Sequence, residues 1–472
     1  MIKRKNLLIL LGILVVLAAS AVWVFMMPSA DEDAALQSTA TAAPTIPVFQ
    51  CDVEQISEMA VAIPDEQYTF IRQDGWGVKD APDILLRSSA VDSLAEQLAD
   101  LSAKSMLEQP EALDAYGLAA PQATFAVTLA DGSQKTFLLG NEDPVNSIYY
   151  LKTEDAPTVY TITSSIGQSL LRGLEEYRDS TLLTVNTDAL NRIVIARPDE
   201  TIELSLTGQT EESSGEWRMI RPQELKTDSQ RISEEVLTPI TELSISDFVY
   251  DKTDQDAAYG LATPSATLTL YDSEGASQTL YVGAQNGTDY YLRTDRSASI
   301  YLVPGDALSV ARVEAFTLVD RFIHLVSIET VDQIDVATDT ASYTLQLERT
   351  PAAEGEGQGE GEAEAEENII YRLNGAEVTE DAFKDLYQQV IGLTADGFSG
   401  HPARGQSYVT ITFHMSDGTV QAYSYGPYDE RNYAAYDQNG ASTFFVRQKK
   451  VEDMLTALQT AASGQNSAQE AE

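Results

Sequence analysis

Apolar residues recur along this chain in two rhythms. Tyr68 and Phe70 alternate with polar neighbours, as do Ile202, Leu204 and Leu206, and a period of two buries one face of a strand. Val91, Leu94, Leu98 and Leu101 fall instead at helical spacing, as do Phe383, Leu386, Val390 and Leu393. Each set predicts a helix with one apolar stripe. Asp131-Gly132 lies between the strand patterns 124–129 and 135–139 and marks a hairpin turn, with Glu274-Gly275 and Asp417-Gly418 as further copies. Tyr149-Tyr150-Leu151 and Val159-Tyr160 predict two more strands, echoed by Tyr290-Tyr291-Leu292 and Ile300-Tyr301. One tyrosine of each pair should face the core and one should face out. Trp76 and Trp217 are expected to plug the core, with Tyr371 as the third counterpart.

These patterns are copies of one another. Gly132 and Gly140 return at Gly275 and Gly283, then at Gly418 and Gly426, with a spacing of 143 residues each time. Tyr116-Gly117-Leu118-Ala119-Ala120-Pro121 returns as Tyr259-Gly260-Leu261-Ala262-Thr263-Pro264, and Val53-Glu54-Gln55-Ile56 as Leu190-Asn191-Arg192-Ile193 and Val331-Asp332-Gln333-Ile334. That period is too long for a solenoid and suits a tandem of ordinary domains. The expected modules are 50–165, 186–304 and 327–460, joined by helical connectors over 166–185 and 305–326. The fold class expected is α+β, each module an antiparallel sheet with a packed helix. In the Tyr-Gly-Leu-x-x-Pro element, Gly117 and Gly260 should take positive φ and end a helical turn, Leu118 should fold back as a cap, and Pro121 should stop the helix. A ligand-binding loop is the competing reading. The third module departs from the others. Phe398-Ser399-Gly400-His401-Pro402 stands near the place of that element, and an acidic Gly/Glu/Ala tract, 354–367, reads as a disordered loop. Residues 461–472 read as a polar, disordered tail.

One apolar run belongs to no module. Residues 7–27 carry no charge and are long enough to span a hydrocarbon core of roughly 30 Å. Lys3, Arg4 and Lys5 precede the run and Asp31, Glu32 and Asp33 follow it. The basic flank predicts cytoplasmic residues 1–6, a transmembrane anchor over 7–27, a flexible tether over 28–49 and an extracytoplasmic remainder at the cell membrane. A cleaved signal peptide is the alternative, but Ala19-Ser20-Ala21, the candidate cleavage site, sits inside the run. A lipoprotein fits less well, because Val48-Phe49-Gln50 before Cys51 lacks small residues.

Charge narrows the partners. The 73 acidic residues against 30 Lys and Arg give a formal charge of −43, which excludes a nucleic-acid binder, since phosphate recognition needs a basic surface. Cys51 is the single cysteine, so no intrachain disulfide forms. His324, His401 and His414 lack metal-ligand spacing. Asp254-x-Asp256 and Asp437-Gln438-Asn439-Gly440 fall short of a calcium loop. No Gly-x-Ser-x-Gly elbow, Walker loop or dinucleotide fingerprint occurs. No catalytic, cofactor or metal residue is therefore assigned, and the chain is expected not to be an enzyme, although a Ser–His–Asp site is defined by geometry rather than order.

The repeated Tyr-Gly-Leu-x-x-Pro, the hairpin, the strand ending in Gly140 or Gly283, the Tyr-Tyr-Leu and the final Val/Ile-Tyr resemble the bacterial domain-of-unknown-function family 4340. The match is clear over about 90–163 and 232–303 and weak in the third module. The resemblance implies a membrane-anchored protein that accompanies gliding-motility-type ABC transporters, with no catalytic residues to carry over. The expected function is thus an extracytoplasmic accessory or scaffold protein, with an ABC transporter permease as the partner implied. A surface protein binding glycan or wall polymer through exposed tyrosines is the alternative, and an envelope hydrolase the third.

Overall fold

The computed structural model describes residues 45–108, 110, 112–210, 213–351, 367–400, 402 and 405–469. The expected anchor over 7–27, the cytoplasmic residues 1–6, residues 28–44 of the tether and residues 354–366 of the acidic tract lie outside these. Among the described residues, no helix is long and apolar enough to cross a membrane. The chain divides into two compact units. One is formed by residues up to 82 together with 86–178, the other by 83–85 together with 179 onward. The first holds module 1; the second holds modules 2 and 3.

Module 2 shows the plan. From edge to edge its sheet runs Leu225–Lys226, Glu216–Arg221, Thr201–Thr207, Leu190–Ala196, Ala266–Asp272, Ser277–Asn286, Asp289–Thr294, Ile300–Pro304 and Asp247–Tyr250. All of its neighbours pair antiparallel. The chain lays down one meander outward from Leu190–Ala196, crosses through a helix, adds the far edge strand, and returns beside Leu190–Ala196 to lay the second meander. Module 3 repeats this order, from Ala376–Val378 through the central Val331–Thr338 and Val409–Met415 to Gly397–Phe398. Module 1 has eight strands; in place of the outermost one stands a single bridge between Val78 and Ala81.

Period-two alternation decides which face is buried. Ile193, Ile195, Ile202, Leu204, Leu268, Leu270 and Leu280 point inward and are fully buried. Ile232, Val236 and Ile240 cover them from a helical stretch over 229–241, in which Ser233–Leu237 is π-wound. The corresponding helices are Ser88–Ala99 and Glu380–Ile391. Thr379 caps the latter by accepting from the Ala382 amide, and Glu380 and Asp381 occupy its positive first turn. Each such cover removes the apolar stripe from water, worth roughly 1.5–3 kcal/mol per fully buried large side chain.

The α+β class expected from the sequence is corrected. Over the described residues the protein is mostly β, 44% strand against 23% helix, in four antiparallel sheets. The expected connector helices are the main reason. Residues 166–185 hold only the end of Ser164–Leu170 and the 3₁₀ turn Leu174–Tyr177. Residues 305–326 hold only Ala307–Arg312 and Ala315–Leu318. Their apolar side chains, Leu182, Val185, Val319 and Val326 among them, are buried from non-helical backbone, so periodicity alone misreads them. The fourth sheet pairs Ile46–Gln50, at the end of the expected tether, with Asp100–Ala103. The terminal helix Gln448–Gln469 runs past residue 461 and buries Val451, Met454 and Leu458.

Candidate functional site

The Tyr-Gly-Leu element is a docking device inside the module. Gly117 and Gly260 take φ of 68° and 72°. In module 1 the Gly117 amide donates to the Asp114 carbonyl at 3.1 Å and the Leu118 amide to the Leu113 carbonyl at 3.0 Å, closing a 3₁₀ turn. Leu118 and Leu261 are buried. The turn then lies on a bulge of the neighbouring hairpin, where register shifts between Leu139 and Glu142, and between Val282 and Gln285. A β-carbon on Gly140 would stand 2.1 Å from the Tyr116 carbonyl oxygen, and one on Gly283 2.3 Å from that of Tyr259. The motif tyrosines meet the second tyrosine of each Tyr-Tyr pair edge-on, Tyr116 with Tyr150 at 4.9 Å and Tyr259 with Tyr291 at 4.8 Å. Packing accounts for the tyrosine, the glycine and the leucine of the motif.

Function is better sought on the sheet face opposite the helix. The strands Ala123–Leu129, Ala266–Asp272 and Val409–Met415 correspond at the repeat spacing, and their outward positions differ. One position holds Thr128, Tyr271 or His414, paired respectively with Glu58, Arg192 or Gln333. On the neighbouring strand a second position holds Leu138, Tyr281 or Ser424, the last of them buried. One scaffold thus carries three chemistries.

In module 1 the face is small, with Ala60, Ala62, Thr69, Thr124 and Ala126 flooring an open cleft of about 500 Å³. In module 2 it is aromatic and cationic. The Arg192 guanidinium lies 4.8 Å over Tyr271 and that of Arg293 5.4 Å over Tyr281. Arg293 is fixed by Asp256 at 2.5 Å and Arg192 by Glu203 at 2.9 Å, and Thr269 and Thr279 share a hydrogen bond at 3.2 Å between the rows. In module 3 it is polar. Asp335 accepts from Thr344 at 2.8 Å and Gln333 at 2.9 Å, and lies 2.8 Å from His414 Nε2. Burial alone would raise the Asp335 carboxyl; those hydrogen bonds outweigh it and hold the group below the usual carboxylate range.

The remaining residues singled out in the sequence are dispersed. His324 is buried in module 3, and His401 lies outside the described residues. Asp256 serves Arg293, while Asp437 closes its own turn by accepting from the Asn439 and Ala441 amides at 2.9 Å. Among the described residues no group of three His, Cys, Asp or Glu could hold a metal ion. Trp76 and Trp217 are half-buried lids rather than plugs: Trp76 Nε1 donates to Asp92 at 2.8 Å under the Arg72 guanidinium. Tyr371, also half-buried, leans on Phe383 at 5.0 Å. The arginine–tyrosine rows have a faint signal in the sequence, the outward alternation Thr267, Thr269, Tyr271, which does not disclose the arginines beside it.

A tandem, sheet-built module with a Tyr-Gly-Leu turn docked on a glycine bulge is the class of protein these features define. The chain belongs to the family described as Domain of unknown function (DUF4340), whose model matches residues 76–262 and 217–408. Both matches open on a module's tryptophan; the first ends in the Tyr-Gly-Leu element of module 2 and the second at residue 408 in module 3, so the family unit is out of phase with the sheet unit. No curated protein and no solved structure matches the chain.

Proposed function

We propose that the chain is an extracytoplasmic accessory or scaffold protein, held at the membrane by residues 7–27, whose modules offer their outward sheet faces to a membrane protein complex. A transporter permease of the ABC type is the partner class. The observation that carries this reading is the contrast between the repeat's two faces. The inward face stays largely apolar in all three modules and the docking turn recurs in modules 1 and 2, while the outward positions 128, 271 and 414 change from threonine to tyrosine to histidine. A shell kept constant under variable faces suits recognition better than a shared reaction. Photo-crosslinking side chains placed at Ala60, Thr269 and Thr412 in the full chain, in its native membrane, test it. The expected result is a membrane-protein adduct from at least one face. The absence of a membrane-protein adduct from all three positions would defeat the proposal. Protease applied to intact cells should remove residues beyond about position 30; full protection of the modules would reverse the topology.

A second reading has its own support. Tyr271 and Tyr281, with Arg192, Arg293 and threonine hydroxyls between them, form the kind of stacking face that takes up sugars. Co-sedimentation with isolated wall polymer should then be lost in Tyr271→Ala/Tyr281→Ala; equal sedimentation of wild type and variant would remove this reading. The third reading, an envelope hydrolase, gains little, since the hydroxyl that reaches the Asp335–His414 pair is Thr344's, and it is bound to Asp335.

A further inference from the structure

The segment joining modules 2 and 3 is fastened to both. On the module 2 side Val319 bridges Thr227, and the Asp320 amide donates to the Lys226 carbonyl at 3.0 Å. On the module 3 side the Ile323 amide donates to Leu393 at 3.1 Å and the Ala395 amide to Arg321 at 2.7 Å, with a bridge between Phe322 and Thr394. Tyr387 Oη donates to the Val326 carbonyl. Phe322 and Leu325 turn outward, 43% and 61% exposed, while His324 between them turns inward and is 3% exposed.

His324 is an unusual filling for that place. At the repeat spacing of 143 residues, the sheet beneath has Val282 in module 2 where module 3 has Tyr425. The apolar position has become a hydrogen-bonding one, with His324 Nε2 and Tyr425 Oη 2.8 Å apart. The ring is walled by Phe413 at 5.1 Å and Tyr423 at 5.0 Å. Nδ1 is buried with no hydrogen-bond partner. The titratable groups facing the ring are the phenols Tyr423 and Tyr425 from the sheet; Tyr387, from the helix, reaches the Val326 carbonyl instead. Asp320 and Arg321 are the charged groups of the segment itself, and Asp437 is the carboxylate acting on Tyr423. A proton added to the ring would gain at most a bond to His324's own backbone, and the imidazolium would sit buried with no carboxylate acting on it. A buried, unpaired cation is among the costliest features a core can hold.

We propose that the segment 319–326 is an acid-released latch, in which protonation of His324 expels the imidazole from its aromatic pocket and frees the strap between modules 2 and 3. Burial pushes the imidazole from 6.5 down to about 4, which agrees with this geometry. The sign follows from linkage. The folded value lies below the unfolded one, so the latch is at full strength above pH 6.5 and weakens as pH falls from there towards 4.

Hydrogen exchange of the full-length protein, followed by mass spectrometry in steps from pH 7.5 to 4 and corrected for intrinsic rates, tests the latch. Peptides covering 319–328 and 393–395 report it; the central strand Leu190–Ala196 is the internal control. In wild type the opening constant of the strap should rise about tenfold per pH unit below 6.5, with the control still protected. His324→Gln keeps a donor for Tyr425 and cannot titrate, so its strap profile should be flat. Matching profiles in wild type and variant, or loss of the strap and control together, would overturn the proposal. Should the variant be unprotected at pH 7.5, the imidazole titration of wild type by NMR decides. A value at or above 6.5 refutes the latch; a depressed value accompanied by strap opening supports it.

Discussion

Replacing Gly283 by alanine puts the docking account of the Tyr-Gly-Leu turn at risk. The added β-carbon would stand 2.3 Å from the Tyr259 carbonyl oxygen and 3.1 Å from Leu261 Cγ. That oxygen cannot simply move aside. It accepts from the Ala284 amide at 2.8 Å, and its direction is set by the left-handed Gly260 that follows. Overpacking of this kind costs about 1–3 kcal/mol, and a disrupted hydrogen bond adds about 1 kcal/mol. The sum, about 2–4 kcal/mol, should lower the unfolding temperature of module 2 by roughly 10 °C. Gly275→Ala is the control. Unlike Gly283, Gly275 sits at positive φ, 92°, and its β-carbon would meet nothing within 4 Å, so only the strain of about 1–2 kcal/mol applies. Calorimetry of the full-length protein and both variants separates the two costs. If Gly283→Ala is no less stable than Gly275→Ala, the turn does not bear on the bulge and the account fails. Gly260→Ala combined with Gly283→Ala should cost less than the sum, because both disturb one contact.

Three further outcomes are expected. Gly117→Ala and Gly260→Ala lie in separate compact units, so each should cost on the order of 1 kcal/mol or more and their costs should add in denaturant titrations; strong coupling would contradict the division. Phe383→Ala empties a fully buried site in the module 3 core and should cost about 3–5 kcal/mol; a loss under about 1 kcal/mol by urea unfolding would show that the helix is not the cover described. The Asp335 carboxyl is held below its usual range, so its stabilising contribution is present above about pH 3.9 and is lost as pH falls through the lower folded value. Asp335→Asn should flatten that part of the stability profile of module 3, and an unchanged acid limb would discount the hydrogen-bonded cluster.

Much of the inward half of this protein was legible. Tyr68 and Phe70, the stripe from Val91 to Leu98, and the hairpins at Gly132, Gly275 and Gly418 declare themselves because burial imposes a period and turns impose residue types. The connectors were not legible, because Leu182, Val185 and Val319 are spaced as a helix would space them while non-helical backbone buries them. That error shifted the class from mostly β to α+β. The glycines at 140 and 283 were visible as a repeated signal, but their reason, a carbonyl from 24 residues earlier in each case, Tyr116 or Tyr259, lay outside any local pattern.

By itself the sequence determined the repeat, its phase and its alternating core, since these depend on spacing along the chain and on the transfer of apolar side chains out of water. Tertiary structure decided which side chains meet. The pairing of Arg192 with Tyr271 and of Arg293 with Asp256, and the placing of His324 against Tyr425, follow from strand register and from the path of a connector. The His324–Tyr425 contact joins residues 101 positions apart. A one-residue slip in any of those strands would turn the same outward residues into the core, so the outward chemistry exists only once the sheet has fixed its register.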